Sequence, residues 1–367
     1  MVLFSKKMRV LVTGGAGFIG SHTVDTILEN SNHEVFVLDN LSTGFITNVP
    51  KNVKFYEVDL LDKDLLFKII EDIKPEIIIH LASSVSVSRS SKKPLFDAQN
   101  NIISTLNLME ACKGISKSGK LKKVILASSQ TTYGEGEYFC DVCNKRSKPM
   151  FRKIEDIQNG KFDLFCNHCK NKLKPIGTRE SSVQFPVNNY GVSKLSEEKY
   201  LISFANQFGL SCIVFRYFNV YGPRQTTQGL ETGVVPIFIH LMLNKKISPI
   251  IYEDGLMLRD FVHVKDVAMA NYLALDKNDI VVYNVGHEPQ TILDLANKIA
   301  KELKFDLSNK LSMKCRSINE NSGTYDSRAI ISDNSKLINE FGFKPLINFE
   351  EGLKETIEWA KRNKEIL

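Results

Sequence analysis

Short apolar runs alternate with amphipathic segments over the first 220 residues of the chain. Runs that are almost continuously apolar predict buried strands, and they lie at 8–13, 34–38, 53–58, 76–80, 122–127 and 211–216. Segments with helical spacing predict helices between them, near 62–73 and near 94–112. Strands of this kind are typical of a parallel sheet that helices cover on both faces. The pattern therefore predicts a doubly wound parallel α/β fold.

A glycine-rich turn, residues 14–20, directly follows the first predicted strand and leads into a helix that ends near residue 30. Gly14, Gly17 and Gly20 are spaced G-x-x-G-x-x-G, which permits a tight turn and brings a pyrophosphate close to the backbone. Asp39 follows about 20 residues on, where its carboxylate can accept hydrogen bonds from an adenosine ribose. Because this carboxylate would repel the 2′-phosphate of NADP, the spacing predicts a Rossmann domain that binds NAD. A tight turn without a ligand is the alternative.

A tyrosine and a lysine stand four residues apart at the start of a predicted amphipathic helix. At this spacing Tyr190 and Lys194 share one helix face. An ammonium group beside a phenol favours the phenolate, so that a tyrosine can act as a base near neutral pH. The pair predicts proton-transfer chemistry, although Y-x-x-x-K alone also occurs by chance.

The segment between residues 134 and 187 interrupts the alternating pattern and is too long for a simple connection. It contains two C-x-x-C knuckles, Cys140 with Cys143 and Cys166 with Cys169, separated by about 20 residues. This spacing predicts a tetrahedral Cys₄ zinc site with a structural role, because four thiolates leave no position for water or substrate. Free thiols or a redox pair are the alternatives. Acidic residues are interleaved with the basic ones, so we do not expect this ribbon to bind nucleic acid.

Beyond residue 220 the alternation loosens into short strands, loops and amphipathic helices, as expected for a smaller mixed α/β lobe that holds a substrate. We therefore predict three parts. Residues 1–134 and 181–220 form the Rossmann domain, residues 135–180 form a zinc-ribbon insertion, and residues 221–367 form the substrate lobe, with some segments returning to the Rossmann sheet.

Composition limits the function class. The chain has 367 residues and a formal net charge of +6 that is spread along it, which gives no case for nucleic-acid binding. No apolar run approaches the roughly 20 residues of a membrane span, and the N-terminus lacks the apolar core of a secretory signal. We expect a cytoplasmic protein without membrane partners.

Seven ordered motifs resemble those of the extended short-chain dehydrogenase/reductase family, in particular its NAD-dependent nucleotide-sugar epimerases and dehydratases. They are T-G-G-A-G-F-I-G at 13–20, D-N-L-S-T-G at 39–44, H-L-A-S at 80–83, S-S-Q-T-T-Y-G at 128–134, Y-G-V-S-K at 190–194, R-Y-F-N-V-Y-G-P-R at 216–224 and R-D-F-V-H-V-K-D-V at 259–267. The resemblance covers nearly the whole chain apart from the insertion. It also implies a homodimer, in which the helix before Cys112 and the helix that starts near Asn188 form a four-helix contact.

The resemblance assigns roles to individual residues. It implies that Ser129, Tyr190 and Lys194 are catalytic, and that Ser129 faces the sugar. It makes Asn219, Arg259 and Arg328 candidates for contacts with the nucleotide diphosphate, which suits their donor chemistry. The residues expected at the NAD cofactor are Gly14, Gly17, Phe18, Ile19, Gly20, Asp39, Asn40, Ser42, Thr43, Gly44, Asp59, Leu60, Leu81, Ala82, Asn100, Tyr190, Lys194 and Tyr217.

The two residues after Ser129 bear on the reaction. Related dehydratases carry an Asp-Glu pair there, because elimination of water requires an acid and a base. This chain has Gln130 and Thr131, and neither can exchange a proton at neutral pH. The sequence therefore favours a 4-epimerase that passes through a transient 4-keto sugar. A dehydratase or reductase, and an NAD-binding sensor without activity, are the alternatives.

Within the family, the segment Y-G-E-G-E-Y at 133–138 followed by two C-x-x-C knuckles looks most like dTDP-L-rhamnose 4-epimerases. This narrower resemblance implies conversion of dTDP-L-rhamnose to dTDP-6-deoxy-L-talose. A UDP-hexose 4-epimerase is the alternative, since nothing in the residue types of the C-terminal lobe distinguishes thymidine from uridine.

Overall fold

A computed structural model of the chain describes residues 6–149, 152–226, 233–307, 312–314 and 326–365. Its strands are β1 Arg9–Thr13, β2 Glu34–Asp39, β3 Lys54–Glu57, β4 Ile77–His80, β5 Lys123–Ser129, β6 Glu137–Cys140, β7 Lys145–Ser147, β8 Lys174–Thr178, β9 Ser211–Tyr217, β10 Asn219–Tyr221, β11 Ile250–Tyr252, β12 Leu258–His263, β13 Ile280–Val285, β14 Glu288–Thr291, β15 Ser312–Lys314 and β16 Ala329–Ser332.

Twelve α-helices are described within the same ranges. They are α1 Phe18–Asn30, α2 Lys63–Ile73, α3 Val87–Lys92, α4 Pro94–Ala98, α5 Ser104–Lys117, α6 Ile154–Gln158, α7 Asn189–Phe208, α8 Val234–His240, α9 Val264–Leu273, α10 Ile292–Leu303, α11 Ser335–Phe341 and α12 Phe349–Arg362. No helix in the described part of the chain is long and apolar enough to cross a membrane.

The larger sheet has seven parallel strands in the order β13-β9-β5-β4-β1-β2-β3. The strand order reverses between β1 and β4, which is the doubly wound arrangement that the apolar pattern predicts. All six strands predicted from the first 220 residues are present with shifts of one or two residues at their ends. The prediction of a Rossmann α/β fold is therefore confirmed.

Hydrophobic clusters cover this sheet on both faces. One cluster packs α2, α5 and α7 on one face, with Leu66, Leu108 and Leu201 among its buried members. The other packs α1 and α9 on the opposite face, with Val24 and Val267 buried there. Burial on both faces explains why the strands read as continuous apolar runs.

The long helix predicted over 94–112 is interrupted. Helix α4 is followed by a π-helical segment, Gln99–Ile103, before α5 begins. In this segment Asn100 and Asn101 direct their side chains to separate partners, the carbonyl of Phe96 and the carboxylate of Asp97. A π segment inserts one extra residue into the turn, which the apolar spacing alone does not predict.

The smaller sheet combines strands from distant parts of the chain in the order β10-β12-β16-β8-β6-β7, with β14 antiparallel to β12. Strands β6, β7 and β8 come from the predicted insertion, and β8 pairs in parallel with β16. The insertion thus continues the sheet of the C-terminal lobe. Strand β13 joins the edge of the Rossmann sheet beside β9.

Candidate active site

A cavity of about 660 Å³ opens along the carboxyl ends of the Rossmann strands. Its lining residues end or follow successive strands: Gly14 after β1, Asp39 at the end of β2, Leu81 after β4, Ser129 at the end of β5 and Tyr217 at the end of β9. This position, beside the reversal of strand order, is where doubly wound sheets bind ligands.

The glycine-rich turn forms one wall of the cavity and depends on two glycines. Gly14 has φ +71°, and a Cβ there would lie 2.7 Å from the backbone nitrogen of Ala82. At Gly20 a Cβ would lie 2.0 Å from the carbonyl oxygen of Gly14, so α1 packs against the turn only without a side chain there. Helix α1 begins without a side-chain cap, which leaves backbone N–H groups of its first turn for an anionic ligand.

Asp39 is buried at the other side of this turn. Its Oδ2 accepts a hydrogen bond from the backbone nitrogen of Ala16 at 3.0 Å, and its Oδ1 accepts one from Leu41 at 2.8 Å. Burial raises the pKa of Asp39, and these backbone hydrogen bonds lower it. Each carboxylate oxygen keeps a lone pair for a hydroxyl donor, so the residue fits a ribose of a dinucleotide.

The structure brings most of the predicted cofactor residues to this cavity. Gly44 is not among the lining residues, because it packs against the backbone of Ala16, where a Cβ would lie 2.9 Å from the carbonyl carbon. The predicted residues that line the cavity are Gly14, Gly17, Phe18, Ile19, Gly20, Asp39, Asn40, Ser42, Thr43, Asp59, Leu60, Leu81, Ala82, Asn100, Tyr190, Lys194 and Tyr217.

The three residues predicted to be catalytic line the same cavity. Ser129 ends β5, and its Oγ accepts hydrogen bonds from the backbone nitrogen and the hydroxyl of Thr131, at 3.2 and 2.9 Å. Tyr190 and Lys194 lie on the first turns of α7, which is capped by Asn188: its Oδ1 accepts a hydrogen bond from the backbone nitrogen of Gly191 at 2.8 Å. The cap fixes the start of the helix and with it the direction of both side chains.

The electrostatics of Tyr190 differ from the sequence-based expectation. Burial raises the pKa of Tyr190, the charge of Glu197 raises it further, and a hydrogen bond with Ser129 lowers it. The ammonium of Lys194 donates to Glu197 Oε2 at 2.8 Å. Glu197 was not predicted as a site residue, although a carboxylate three residues after a helical lysine is a recognisable signal.

The residues predicted to contact the diphosphate have partners within the protein. Asn219, Arg259 and Arg328 are not among the residues that line the cavity. Arg259 pairs with Asp326 at 2.6 Å, and Arg328 pairs with Asp254 at 2.6 Å. The Asn219 amide donates to a backbone carbonyl at 2.9 Å.

Other lining residues were not predicted. Two of them follow β10: Arg224 ends the R-Y-F-N-V-Y-G-P-R motif, whose position after a predicted strand was a usable signal, and Gln225 comes directly after it. The loop after β4 contributes Ser83, Ser84, Val85 and Ser86, together with Arg89 from α3. Their place in the cavity depends on the packing of α3 against α7, which local sequence does not indicate.

His80, at the end of β4, lies behind the cavity wall. Its ring nitrogens are hydrogen bonded to the hydroxyls of Thr13 and Thr105, at 2.7 and 2.9 Å. Burial lowers the pKa of His80 to about 3, with a smaller contribution from the charge of Lys194. A neutral imidazole with hydrogen bonds at both ring nitrogens is a structural group of the core. The position of His80 at the end of a buried strand favours the same role.

The four cysteines of the insertion converge. Their Sγ atoms all lie within 4.8 Å of one another, with Cys140 3.4 Å from Cys169 and Cys143 3.8 Å from Cys166. Hydrogen bonds from the backbone and side chain of Asn171 lower the pKa of Cys169 to about 6. Four sulfur donors at these separations fit the first shell of a tetrahedral metal ion.

Known proteins resemble this chain along most of its length. The model of the NAD-dependent epimerase/dehydratase family matches residues 10–152 and 170–286. A putative UDP-glucose 4-epimerase from Methanocaldococcus jannaschii is 35% identical over 96% of this chain and 99% of the relative. A dTDP-L-rhamnose 4-epimerase from Burkholderia thailandensis is 29% identical over 96% of this chain and 94% of the relative.

A solved structure shares the fold as well. The crystal structure of UDP-glucose 4-epimerase from Thermotoga maritima with UDP-glucose has a TM-score of 0.78 and 34% identity, and the match covers 97% of this chain and all of that one. The glycine turn, Asp39 and the Ser129–Tyr190–Lys194 set lie within the matched family segments. The chain belongs to the NAD-dependent epimerase/dehydratase family of enzymes.

Proposed function

We propose that the protein is an NAD-dependent nucleotide-sugar 4-epimerase. The observation that carries this proposal is the convergence of two sets of residues on one cavity. The glycine turn and Asp39 suit a dinucleotide, and Ser129, Tyr190 and Lys194 line the same space. The residues lining the cavity therefore suit a cofactor at one end and a sugar carbon at the other.

Each residue of the catalytic set has a role in transient oxidation. Tyr190, as the phenolate, takes the proton from the sugar C4 hydroxyl, and Ser129 donates a hydrogen bond to the oxygen as it becomes a carbonyl. Lys194 places its positive charge in the same wall and favours the phenolate. Bound NAD supplies the hydride acceptor and later the hydride donor. Return of the hydride to the opposite face of the ketosugar, together with return of the proton from the Tyr190 phenol to the C4 oxygen, inverts C4.

The charges of the cavity favour epimerisation over elimination. Among the described residues that line it, the carboxylates belong to Asp39 and Asp59. Both lie at the β2–β3 edge, and β2 is three strands from β5 and Ser129, roughly 14 Å at the usual strand spacing. Gln130 and Thr131, next to Ser129, are neutral. A dehydratase needs an acid and a base near the sugar C5 and C6, and these positions supply neither.

Two nucleotide sugars are candidates for the substrate. UDP-hexose is favoured by the relatives from Methanocaldococcus jannaschii and Thermotoga maritima, which are at least 34% identical. dTDP-L-rhamnose is favoured by the cysteine-containing insertion and by the relative from Burkholderia thailandensis. We propose a UDP-hexose as the first candidate and dTDP-L-rhamnose as the second.

Product analysis by NMR tests the function. UDP-glucose, UDP-N-acetylglucosamine and dTDP-L-rhamnose are incubated separately with the protein and NAD. An epimer at C4 supports the proposal and identifies the sugar. Accumulation of a 4-keto-6-deoxy sugar would instead identify a dehydratase, and binding of NAD without turnover of any sugar would favour the sensor.

The diphosphate of the substrate requires cationic donors. Arg224 lines the cavity, its side chain is 30% exposed, and it pairs with the partly buried Asp25 at 2.8 Å. Arg259 and Arg328 are also paired with carboxylates, but unlike Arg224 they do not line the cavity. We propose Arg224 as a diphosphate contact ahead of Asn219, Arg259 and Arg328, and a rise in KM in Arg224→Met that exceeds that in Arg259→Met would support this order.

For the four cysteines we propose a structural zinc ion. Two knuckles supply four sulfur ligands at tetrahedral spacing and leave no open coordination position. The cluster lies where β6 ends, and Tyr138 and Leu173 pack around it. Zinc would therefore hold the outer end of the smaller sheet, whose inner strands include Arg259 and Ala329.

We also propose a homodimer through α5 and α7. Apolar side chains on and beside these helices are exposed, namely Leu95, Ile103, Val192 and Tyr200. Exposed apolar residues on two adjacent helices suit a four-helix contact between two copies. Light scattering at several protein concentrations measures the mass, and Val192→Glu is expected to shift it toward the monomer.

A further inference from the structure

Helix α7 buries three functional groups in succession along one face. Tyr190, Lys194 and Glu197 are all buried, and the Lys194 and Glu197 side chains are only 2% and 1% exposed. The ammonium of Lys194 donates to Glu197 Oε2 at 2.8 Å. The Glu197 carboxylate is therefore hydrogen bonded to Lys194, the cation that borders the cavity.

Glu197 belongs to a buried cluster that holds more carboxylates than cations. Glu198, the next residue, is paired with Arg216 of β9 at 2.8 Å. Asp97 of α4 has only neutral partners in the described structure, including the hydroxyl of Ser193 at 2.6 Å. Three carboxylates thus face two cations, Lys194 and Arg216.

The Glu197 carboxylate is compensated at only one of its two oxygens. Its second oxygen, Oε1, is buried and has no hydrogen-bond partner among the described residues. Among the described residues, His80 of β4 also lies close enough for the charge of Lys194 to act on it, and burial holds it neutral. A buried oxygen without a donor destabilises the ionised form of the carboxyl group.

We propose that Glu197 is a positioning residue for the base: its carboxylate holds the Lys194 ammonium and places a negative charge beside the Tyr190 phenol. When Glu197 is ionised, it draws the ammonium to itself and opposes formation of the phenolate. When it is protonated, that negative charge disappears and the ammonium can act on the phenol and on the cofactor. This inference rests on the proposed role of Tyr190 as the base.

The electrostatics of the pair agree with this role. Burial raises the pKa of Glu197 to about 7, the charge and hydrogen bond of Lys194 oppose that rise, and Asp97 and Glu198 add to it. The net effect favours the neutral form of Glu197 more than water does. The charge of Glu197 also raises the pKa of Tyr190, ahead of the smaller effect of Asp97.

The test is a pH titration of the Tyr190 phenol by near-ultraviolet absorbance in the NAD-loaded protein. Subtracting the spectrum of Tyr190→Phe in each background isolates this residue from the other tyrosines. In Glu197→Gln the midpoint of phenolate formation is expected to fall by about one pH unit, which is a tenfold change in the phenolate fraction. Asp97→Asn is the matched variant, because it removes a different carboxylate of the same cluster, the one hydrogen bonded to Ser193. The midpoint of phenolate formation in Asp97→Asn is expected to fall by less than half as much as in Glu197→Gln.

The same midpoint in Glu197→Gln and in the unmodified protein would overturn the proposal, since a purely structural residue would alter stability and not the midpoint. If Glu197→Gln does not fold, Glu197→Met supplies a second neutral side chain of similar size for the same titration. The titration does not use turnover. A shifted midpoint without epimerisation would thus contradict the proposed function alone, and epimerisation with an unshifted midpoint would contradict only the role of Glu197.

Discussion

Glu198 on α7 and Arg216 on β9 form a fully buried ion pair joined by two hydrogen bonds, at 3.0 and 2.8 Å. The pair ties the helix that carries Tyr190 to the Rossmann sheet. The Ser128 hydroxyl also donates to Glu198, so the end of β5 is fixed to the same carboxylate. The position of Tyr190, the proposed base, relative to Ser129 therefore depends on the contacts of Glu198 with Arg216 and Ser128.

Removal of one partner of this pair is expected to destabilise the fold strongly. Arg216→Met leaves the Glu198 carboxylate buried without its cation, which costs about 3–5 kcal/mol of unfolding free energy. Equilibrium denaturation in urea measures the loss. Glu110→Gln, which breaks the exposed Lys113–Glu110 pair, is the matched control and is expected to cost less than about 1 kcal/mol. Equal losses of unfolding free energy in the two variants would contradict this role of the Glu198–Arg216 pair.

Gly14→Ala is expected to abolish retention of NAD. Its φ of +71° and the 2.7 Å approach of a Cβ to Ala82 leave no room for a methyl group without moving the turn. Gly209→Ala is the control, because Gly209 also has positive φ, +66°, but has no atom within 4 Å of the added Cβ. Cofactor extracted from the purified proteins gives the NAD content. Loss of NAD in both variants, or in neither, would count against a binding role of the turn.

Tyr190→Phe is expected to lower kcat for epimerisation by about 10²–10⁴-fold while NAD remains bound. The change removes one oxygen from a buried ring and should leave the packing of α7 intact. Tyr200→Phe, on the exposed side of the same helix, is expected to keep kcat within about twofold. Steady-state kinetics and NAD content are measured for both. Retention of full activity in Tyr190→Phe would exclude the phenol as the base.

Elemental analysis of the purified protein is expected to give one zinc per chain. Cys140→Ser removes a ligand and should lower both the zinc content and the thermal midpoint, because a structural zinc contributes directly to folding. Cys112→Ala is the matched control, since this thiol is buried outside the cluster and its loss should leave the zinc content unchanged. If the unmodified protein contained no zinc and Cys140→Ser had the same thermal midpoint as the unmodified protein, the four cysteines would be ordinary thiols.

His80 is expected to make the fold less stable in acid. In the unfolded chain an imidazole binds a proton near pH 6.5, whereas burial lowers the pKa of folded His80 to about 3. Below about pH 6.5 the unfolded state therefore binds more protons, and the unfolding free energy falls as pH decreases. In His80→Gln the slope of unfolding free energy between pH 6 and 4 should be smaller by at most about 1.4 kcal/mol per pH unit. Identical slopes in His80→Gln and in the unmodified protein would show that His80 is protonated in the folded protein over this pH range.

The parts predictable from sequence are those in which function depends on local spacing. The turn from Gly14 to Gly20, the carboxylate of Asp39 and the Tyr190–Lys194 pair each lie within one or two adjacent elements. Their relative positions follow from strand and helix geometry alone. The structure brings these residues to one cavity.

The parts of the site and fold that the sequence did not predict depend on contacts between residues that are distant in sequence. Arg259 pairs with Asp326, and Arg328 pairs with Asp254, so that two arginines expected at the diphosphate are held by carboxylates. The insertion joins the smaller sheet through β8 and β16, whose paired residues are more than 150 positions apart. Periodicity reports which face of an element is buried, and it does not identify the element that covers that face.

The most direct test of the account is epimerisation of a nucleotide sugar in D₂O, followed by NMR of the product. If the hydride removed from C4 returns from the cofactor within the same cavity, the product is inverted at C4 and carries no deuterium there. We predict this result with UDP-glucose, or with dTDP-L-rhamnose if the UDP sugars do not react. Deuterium at C4 of the epimer, or a 4-keto-6-deoxy product in its place, would contradict the account.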